Sequence, residues 1–166
     1  MYAEPSPIQE PSTRITPRAV RAWQWSAALG NLVYLAIPAL YVALNPLESR
    51  LAVLLAVLFF LLALALWIAG TFWLPWLRWK RWRYSIDRNE IDLKRGILIK
   101  QRTLIPLNRV QHVDTRQGPI LRYYGLAAVT ISTAATTHEI PALDEETADL
   151  VRDRISRFAR LAEEDV

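Results

Sequence analysis

Hydrophobic and polar positions divide this chain into three unlike parts. From Trp23 to Leu44, and again from Leu51 to Leu77, there is no Asp, Glu, Lys or Arg. A bilayer core of ~30 Å is crossed by about 20 apolar residues in a helix rising 1.5 Å per residue. Each stretch is long enough, and Leu51 to Leu66 offers water no polar face on any side, unlike a helix lying on a soluble core. Only Asn45-Pro46-Leu47-Glu48-Ser49-Arg50 separates them. The pattern predicts a transmembrane helical hairpin over 22–77, with spans at 22–44 and 51–77. A cleaved leader fits poorly, because its apolar region is shorter and no small-residue cleavage site precedes Asn45.

The flanks give the hairpin a direction. Arg14, Arg18 and Arg21 precede the first span and Arg78, Lys80, Arg81 and Arg83 follow the second, whereas the connecting loop balances Arg50 against Glu48. Cationic flanks stay on the cytoplasmic side, so both termini are expected in the cytoplasm. Trp23, Trp25, Trp73, Trp76, Trp79 and Trp82 are expected to form an aromatic belt at that interface, with Trp67 deeper. Pro38 is expected to kink the first helix. The second span, on the order of 40 Å if helical throughout, must tilt or release its Pro75 end from the bilayer. No Asp, Glu, Lys, Arg or His lies within either span, so neither a proton relay nor an ion path is indicated. The hairpin reads as an anchor.

Beyond about Arg83 the apolar residues come in short runs broken by turns. Trp82–Ile86 and Glu90–Lys94 alternate around Asp87-Arg88-Asn89, and Arg95-Gly96 turns the chain into a run from Ile97 to Ile105. Arg109–Arg116 follows, with the spacing Val110…Val113 suggesting a bulge. Ala127–Thr133 carries β-branched residues at alternate sites, and Thr137–Pro141 is a short strand ended by its proline. Gln117–Gly125 reads as a turn with a single helical turn in it. A helix over 144–162 closes the chain, with Asp144 as N-cap, Glu145 and Glu146 in the first turn, and Leu150, Val151, Ile155, Phe158 and Leu161 on one face.

Composition changes little. The formal net charge is +4, drawn mainly from the membrane flanks, so it is no argument for nucleic acid. There is no cysteine, which removes disulfides, thiol nucleophiles and thiolate metal sites. The first residues, with Pro5, Pro7 and Pro11, predict a largely disordered cytoplasmic tail over 1–21.

Six or seven strands in a meander, closed by one C-terminal helix, predict a pleckstrin-homology-like antiparallel β-barrel or sandwich over 78–166 and an α+β membrane protein overall. Tyr84-Ser85-Ile86, Ile91…Gly96-Ile97-Leu98 and Ile105-Pro106-Leu107-Asn108-Arg109-Val110-Gln111-His112-Val113 resemble the bacterial PH-like family, or membrane-flanked domain. Gln117–Ala127 and Val129–Ala134 continue the likeness. So does the order of two spans and then one domain, which is similar to the small YdbS-like branch. The resemblance implies a bacterial inner-membrane protein. It implies a larger membrane protein with related PH-like domains as partner, or self-association, and it supplies no catalytic residue. Phosphoinositide binding by eukaryotic PH domains does not transfer with the fold.

Three groups of residues are candidates for function. Arg78, Lys80, Arg81 and Arg83 lie beside the bilayer, where cations attract acidic phospholipid, although membrane topology alone explains them. Lys94, Arg95, Lys100 and Arg102 form a second basic patch around a hairpin, suited to anionic headgroups or simply to solvent. Ile120, Leu121, Tyr123 and Tyr124 put more apolar surface into a connecting segment than a loop needs, which suits partner binding or packing under the barrel. His112, Asp114, His138 and Glu139 lack the spacing of a metal site. No phosphate-binding glycine loop or nucleophile elbow occurs. The sequence therefore predicts a non-catalytic interaction module without cofactor or metal, with recognition of anionic lipid headgroups as the alternative.

Overall fold

The computed structural model describes residues 10–44 and 49–164; the start of the expected tail and most of the loop between the spans lie outside them. The described chain forms two compact units, residues 17–80 and residues 81–164 joined by the segment before Pro17.

In the helical unit the first apolar stretch is two helices, α1 (Arg18–Gly30) and α2 (Val33–Leu44). The interruption falls at Asn31–Leu32, not at Pro38, which sits buried inside α2. Gly30 and Asn31 are poor helix formers, and the break begins with them. The second stretch opens with α3 (Arg50–Ile68), whose N-cap Ser49 accepts a hydrogen bond from the Ala52 N–H at 3.1 Å. A π turn at Ala69–Trp73 then leads into α4 (Leu74–Arg81). Pro75 has no N–H and crowds the carbonyl one turn back, and the wider π turn directly before it relieves that clash. The stretch thus stays helical past Pro75 instead of ending in an interfacial turn. Both stretches, Arg18–Leu44 and Arg50–Arg81, are long and apolar enough to span a bilayer. Between their cationic ends the outward surface is largely apolar, with Leu40, Leu44, Leu54, Leu58 and Leu62 all more than half exposed. Such a surface is suited to lipid and not to water.

The second unit holds six strands. β1 (Arg83–Ile86), β2 (Glu90–Arg95) and β3 (Gln101–Pro106) form one antiparallel sheet; β4 (Val110–Arg116), β5 (Leu126–Thr133) and β6 (Thr137–Asp144) form another. A 3₁₀ turn at Leu107–Arg109 carries the chain from one to the other. The one-turn helix α5 (Pro119–Tyr123) links β4 to β5, and α6 (Glu145–Glu164) closes the unit against β4, β5, β6 and the 3₁₀ turn. This is the PH-like arrangement of two three-stranded sheets and a C-terminal helix. The core runs through Ile91, Leu93 and Ile105 of the first sheet, Leu126, Val129, Ile131 and Ile140 of the second, and Ala148, Val151 and Ile155 of α6.

Several local details differ from the sequence pattern. Ile97–Ile99 is not strand: β3 begins at Gln101, and the apolar triplet forms the tip of the β2–β3 loop. β6 continues through Pro141 to Asp144, because a bulge at Pro141–Ala142 accommodates the missing N–H. Leu150 and Leu161 face outward; the buried stripe of α6 is Ala148, Val151, Ile155 and Ala159. The bulge between Val110 and His112 falls where the apolar spacing departs from alternation. Trp82 does not join an aromatic belt. It is buried and meets Tyr84 edge-on, with ring centroids 6.5 Å apart.

The segment before α1 also departs from the expected disordered tail. Thr13 exchanges both backbone hydrogen bonds with Tyr84, at 3.1 and 3.0 Å, and Ile15 is fully buried. Burial of one β-branched side chain and two strand-type hydrogen bonds secures residues that charge and proline content assign to coil.

Candidate interaction surfaces

The basic residues around β2 and β3 are brought together but are not equivalent. Lys94 and Arg102 stand opposite each other in the ladder. Arg102 turns to Asp92, reaching Oδ1 and Oδ2 through Nε at 3.1 and 2.9 Å and Oδ2 through Nη2 at 2.6 Å. Asp92 is buried, so this bidentate pair neutralises a carboxylate that water cannot reach. Those hydrogen bonds, ahead of the attraction between the charges, raise the Arg102 pKa. Arg102 is therefore a structural residue. Lys94 meets Glu10 at 2.6 Å, and this hydrogen bond lowers the Glu10 pKa. Arg95 and Lys100 bracket the loop; the Arg95 Nε donates to the neutral amide oxygen of Gln101 at 3.3 Å, and Lys100 is exposed.

The cations at the end of the second span follow α4. The Arg78 guanidinium lies 4.5 Å over the Trp23 ring and the Lys80 ammonium 5.0 Å from that of Trp76, contacts that suit an interfacial helix end. Arg81 is exposed. Arg83 donates to the Trp82 carbonyl at 2.9 Å, and burial, followed by repulsion from Arg14, lowers its pKa.

Ile120, Leu121, Tyr123 and Tyr124 share α5, and the structure sorts them. Ile120, Leu121 and Tyr124 are half-buried, while Tyr123 is 84% exposed. The two tyrosine rings meet edge-on at 5.2 Å. Both ends of the segment are tied: the Gln117 side chain donates to the Leu126 carbonyl at 3.0 Å, and Gly125, at φ +64, ends the helical turn. Its carbonyl accepts from the Glu145 N–H at the start of α6.

A groove of about 640 Å³ opens between the end of β3, the 3₁₀ turn and the β5–β6 turn, lined by Leu104, Ile105, Arg109, Val110, Thr133 and His138 among others. Burial, and then the charge of Arg95, lowers the His138 pKa. The Thr133 hydroxyl donates to the Thr136 carbonyl at 2.8 Å and accepts from the Thr136 N–H at 3.2 Å. His112 pairs with Ser132 and His138 with Ile131, one row apart, so the two imidazoles emerge on opposite faces of the second sheet. Among the described residues no three His, Asp or Glu side chains gather as metal ligands.

The feature missed in the sequence is the β2–β3 tip. Leu98 and Ile99 are 96% and 85% exposed. Its signal was present: three apolar residues in succession, directly after a glycine and framed by Arg95 and Lys100, with no alternation to mark a strand face.

Comparison with known proteins agrees with this architecture. The model of the bacterial PH domain family matches residues 32–159, which include part of the helical unit. The chain is 39% identical to a UPF0699 transmembrane protein, YdbS of Bacillus subtilis (strain 168), over 171 aligned positions covering 95% of this chain and 99% of that protein. No solved structure matches significantly.

Proposed function

Because this chain belongs to the bacterial PH domain family, we propose that it is a non-catalytic, membrane-anchored interaction module. It would hold a protein partner against the cytoplasmic leaflet through α5. The observation that carries this reading is Tyr123, a large aromatic side chain left open to solvent on a one-turn helix fixed at both ends. Rigid, exposed tyrosines lose little entropy on binding and dominate the energetics of many interfaces. Anchoring raises the effective concentration of any partner in the same membrane, so a small surface suffices. The partner class that suits this arrangement is a second membrane protein with related domains, or another copy of this chain.

The Thr13–Tyr84 pairing supports a double crossing. Thr13 precedes the first span and Tyr84 follows the second, and strand-type bonding requires both on one side of the bilayer. The cationic flanks support the cytoplasm as that side.

Crosslinking the tagged full-length protein in its native membrane tests the proposal. A recurrent membrane protein, or a homo-oligomer, captured by the native chain and lost with Tyr123→Ala supports it. Capture unchanged by Tyr123→Ala removes α5 as the contact, and turnover of any substrate by the purified protein overturns the non-catalytic reading.

A further inference from the structure

The β2–β3 loop carries the most exposed pair of adjacent large apolar side chains among the described residues, Leu98 and Ile99. Its shape is built in. Gly96 adopts φ +110, and a Cβ there would lie 1.9 Å from the Ile99 carbonyl oxygen, so the backbone folds in on itself and turns the side chains out.

Charge and position both indicate what meets this tip. Arg95 and Lys100 flank it directly, and the Arg95 Nε donates to the neutral amide oxygen of Gln101, a bond that leaves the guanidinium its positive charge. Apolar residues at the apex with cations behind them are the order in which a peripheral segment meets hydrocarbon and then anionic headgroups. The register adds a second argument. Arg83 pairs with Lys94, so the β2–β3 loop lies at the end of the sheet where the chain arrives from α4, and the Asp87–Asn89 turn lies at the other. That end of the domain is tethered to a membrane span by a few residues of chain.

We propose that the β2–β3 loop inserts Leu98 and Ile99 into the surface of an anionic bilayer, with Arg95 and Lys100 at the phosphates. This is a lipid contact separate from the protein contact assigned to α5.

The absence of cysteine makes the test direct. A nitroxide is attached at Leu98→Cys, or at Asn89→Cys as control, in the full-length protein in nanodiscs. Collision with oxygen and with a water-soluble nickel chelate then reports depth. In discs containing phosphatidylglycerol, the oxygen-to-nickel ratio should be several-fold higher at position 98 than at position 89. It should fall in pure phosphatidylcholine, and fall likewise in the Arg95→Gln/Lys100→Gln background. Equal water access at the two positions overturns the proposal. Equal shielding in both lipids overturns the role of charge, and label–label coupling between co-incorporated chains replaces lipid with a second copy as the occupant.

Discussion

Arg102 grips Asp92 from the neighbouring strand through two guanidinium nitrogens, so its charge is already matched within the sheet. Asp92 is buried on β2, and Arg102 reaches it diagonally from β3, two positions along from its ladder partner Leu104. Arg102→Ala therefore strands a carboxylate in a dry site and lowers the melting temperature clearly, whereas the paired change Asp92→Leu/Arg102→Met recovers most of the loss. Thermal unfolding followed by circular dichroism distinguishes the two. Loss of lipid binding by Arg102→Ala alone would thus report damage to the sheet.

Ala142 adopts φ 51 and is fully buried where two residues of β6 oppose one of β5. A β-branched side chain does not tolerate this conformation, and Ala142→Val should destabilise the domain by about 2 kcal/mol. Ala142→Gly should remain within about 1 kcal/mol of the native chain, since relief of the left-handed backbone offsets a lost methyl group. Denaturant unfolding of the two variants checks both values.

A Cβ on Gly70 would sit 2.8 Å from the Asn31 amide nitrogen, across the break in one span and the π turn in the other. The Trp67 indole N–H donates to the Ala28 carbonyl nearby, at 3.3 Å. Gly70→Leu should cost the hairpin roughly 1–3 kcal/mol by overpacking. Gly70→Ala should be restored by Asn31→Ala, which withdraws the obstructing amide. Unfolding of the detergent-solubilised variants by denaturant reads the coupling.

His138 has a pKa below its ordinary 6.5, first through burial and then through Arg95. Between the folded and ordinary values the unfolded chain binds more protons than the folded one. Stability therefore falls as pH drops through 6.5 and levels off below the folded pKa. His138→Asn should flatten this acid limb in melts run from pH 7.5 to about pH 5. Arg95→Gln should shift it partway toward the ordinary value.

What was legible in the chain was whatever rests on periodicity. Two unbroken apolar runs read as spans, and alternation at Trp82–Ile86, Glu90–Lys94 and Ala127–Thr133 read as strands. Contacts between distant segments were not legible. Nothing in the polar composition before Pro17 shows that Thr13 will find Tyr84, and nothing in Lys94-Arg95…Lys100…Arg102 shows that one of the four cations faces a buried carboxylate. The α5 segment was identified, but only its tertiary setting separates Tyr123 from its half-buried neighbours. Ile97–Ile99 was misread because an apolar triplet suits a buried strand and an exposed tip equally well.

The backbone bonds between Thr13 and Tyr84 set an order of events during synthesis. The polypeptide that seals one edge of the first sheet leaves the ribosome before either span, and its partner strand leaves after both. On the double crossing proposed above, the domain can be completed only after both spans have been integrated. A chain that inserted a single span would strand residues 10–16 across the bilayer from the sheet, leaving the β1 edge open and the site of Ile15 unfilled. On that topology, correct membrane integration is written into the stability of the fold that follows the spans, and a mis-threaded copy would present itself to quality-control proteases as an unfinished domain.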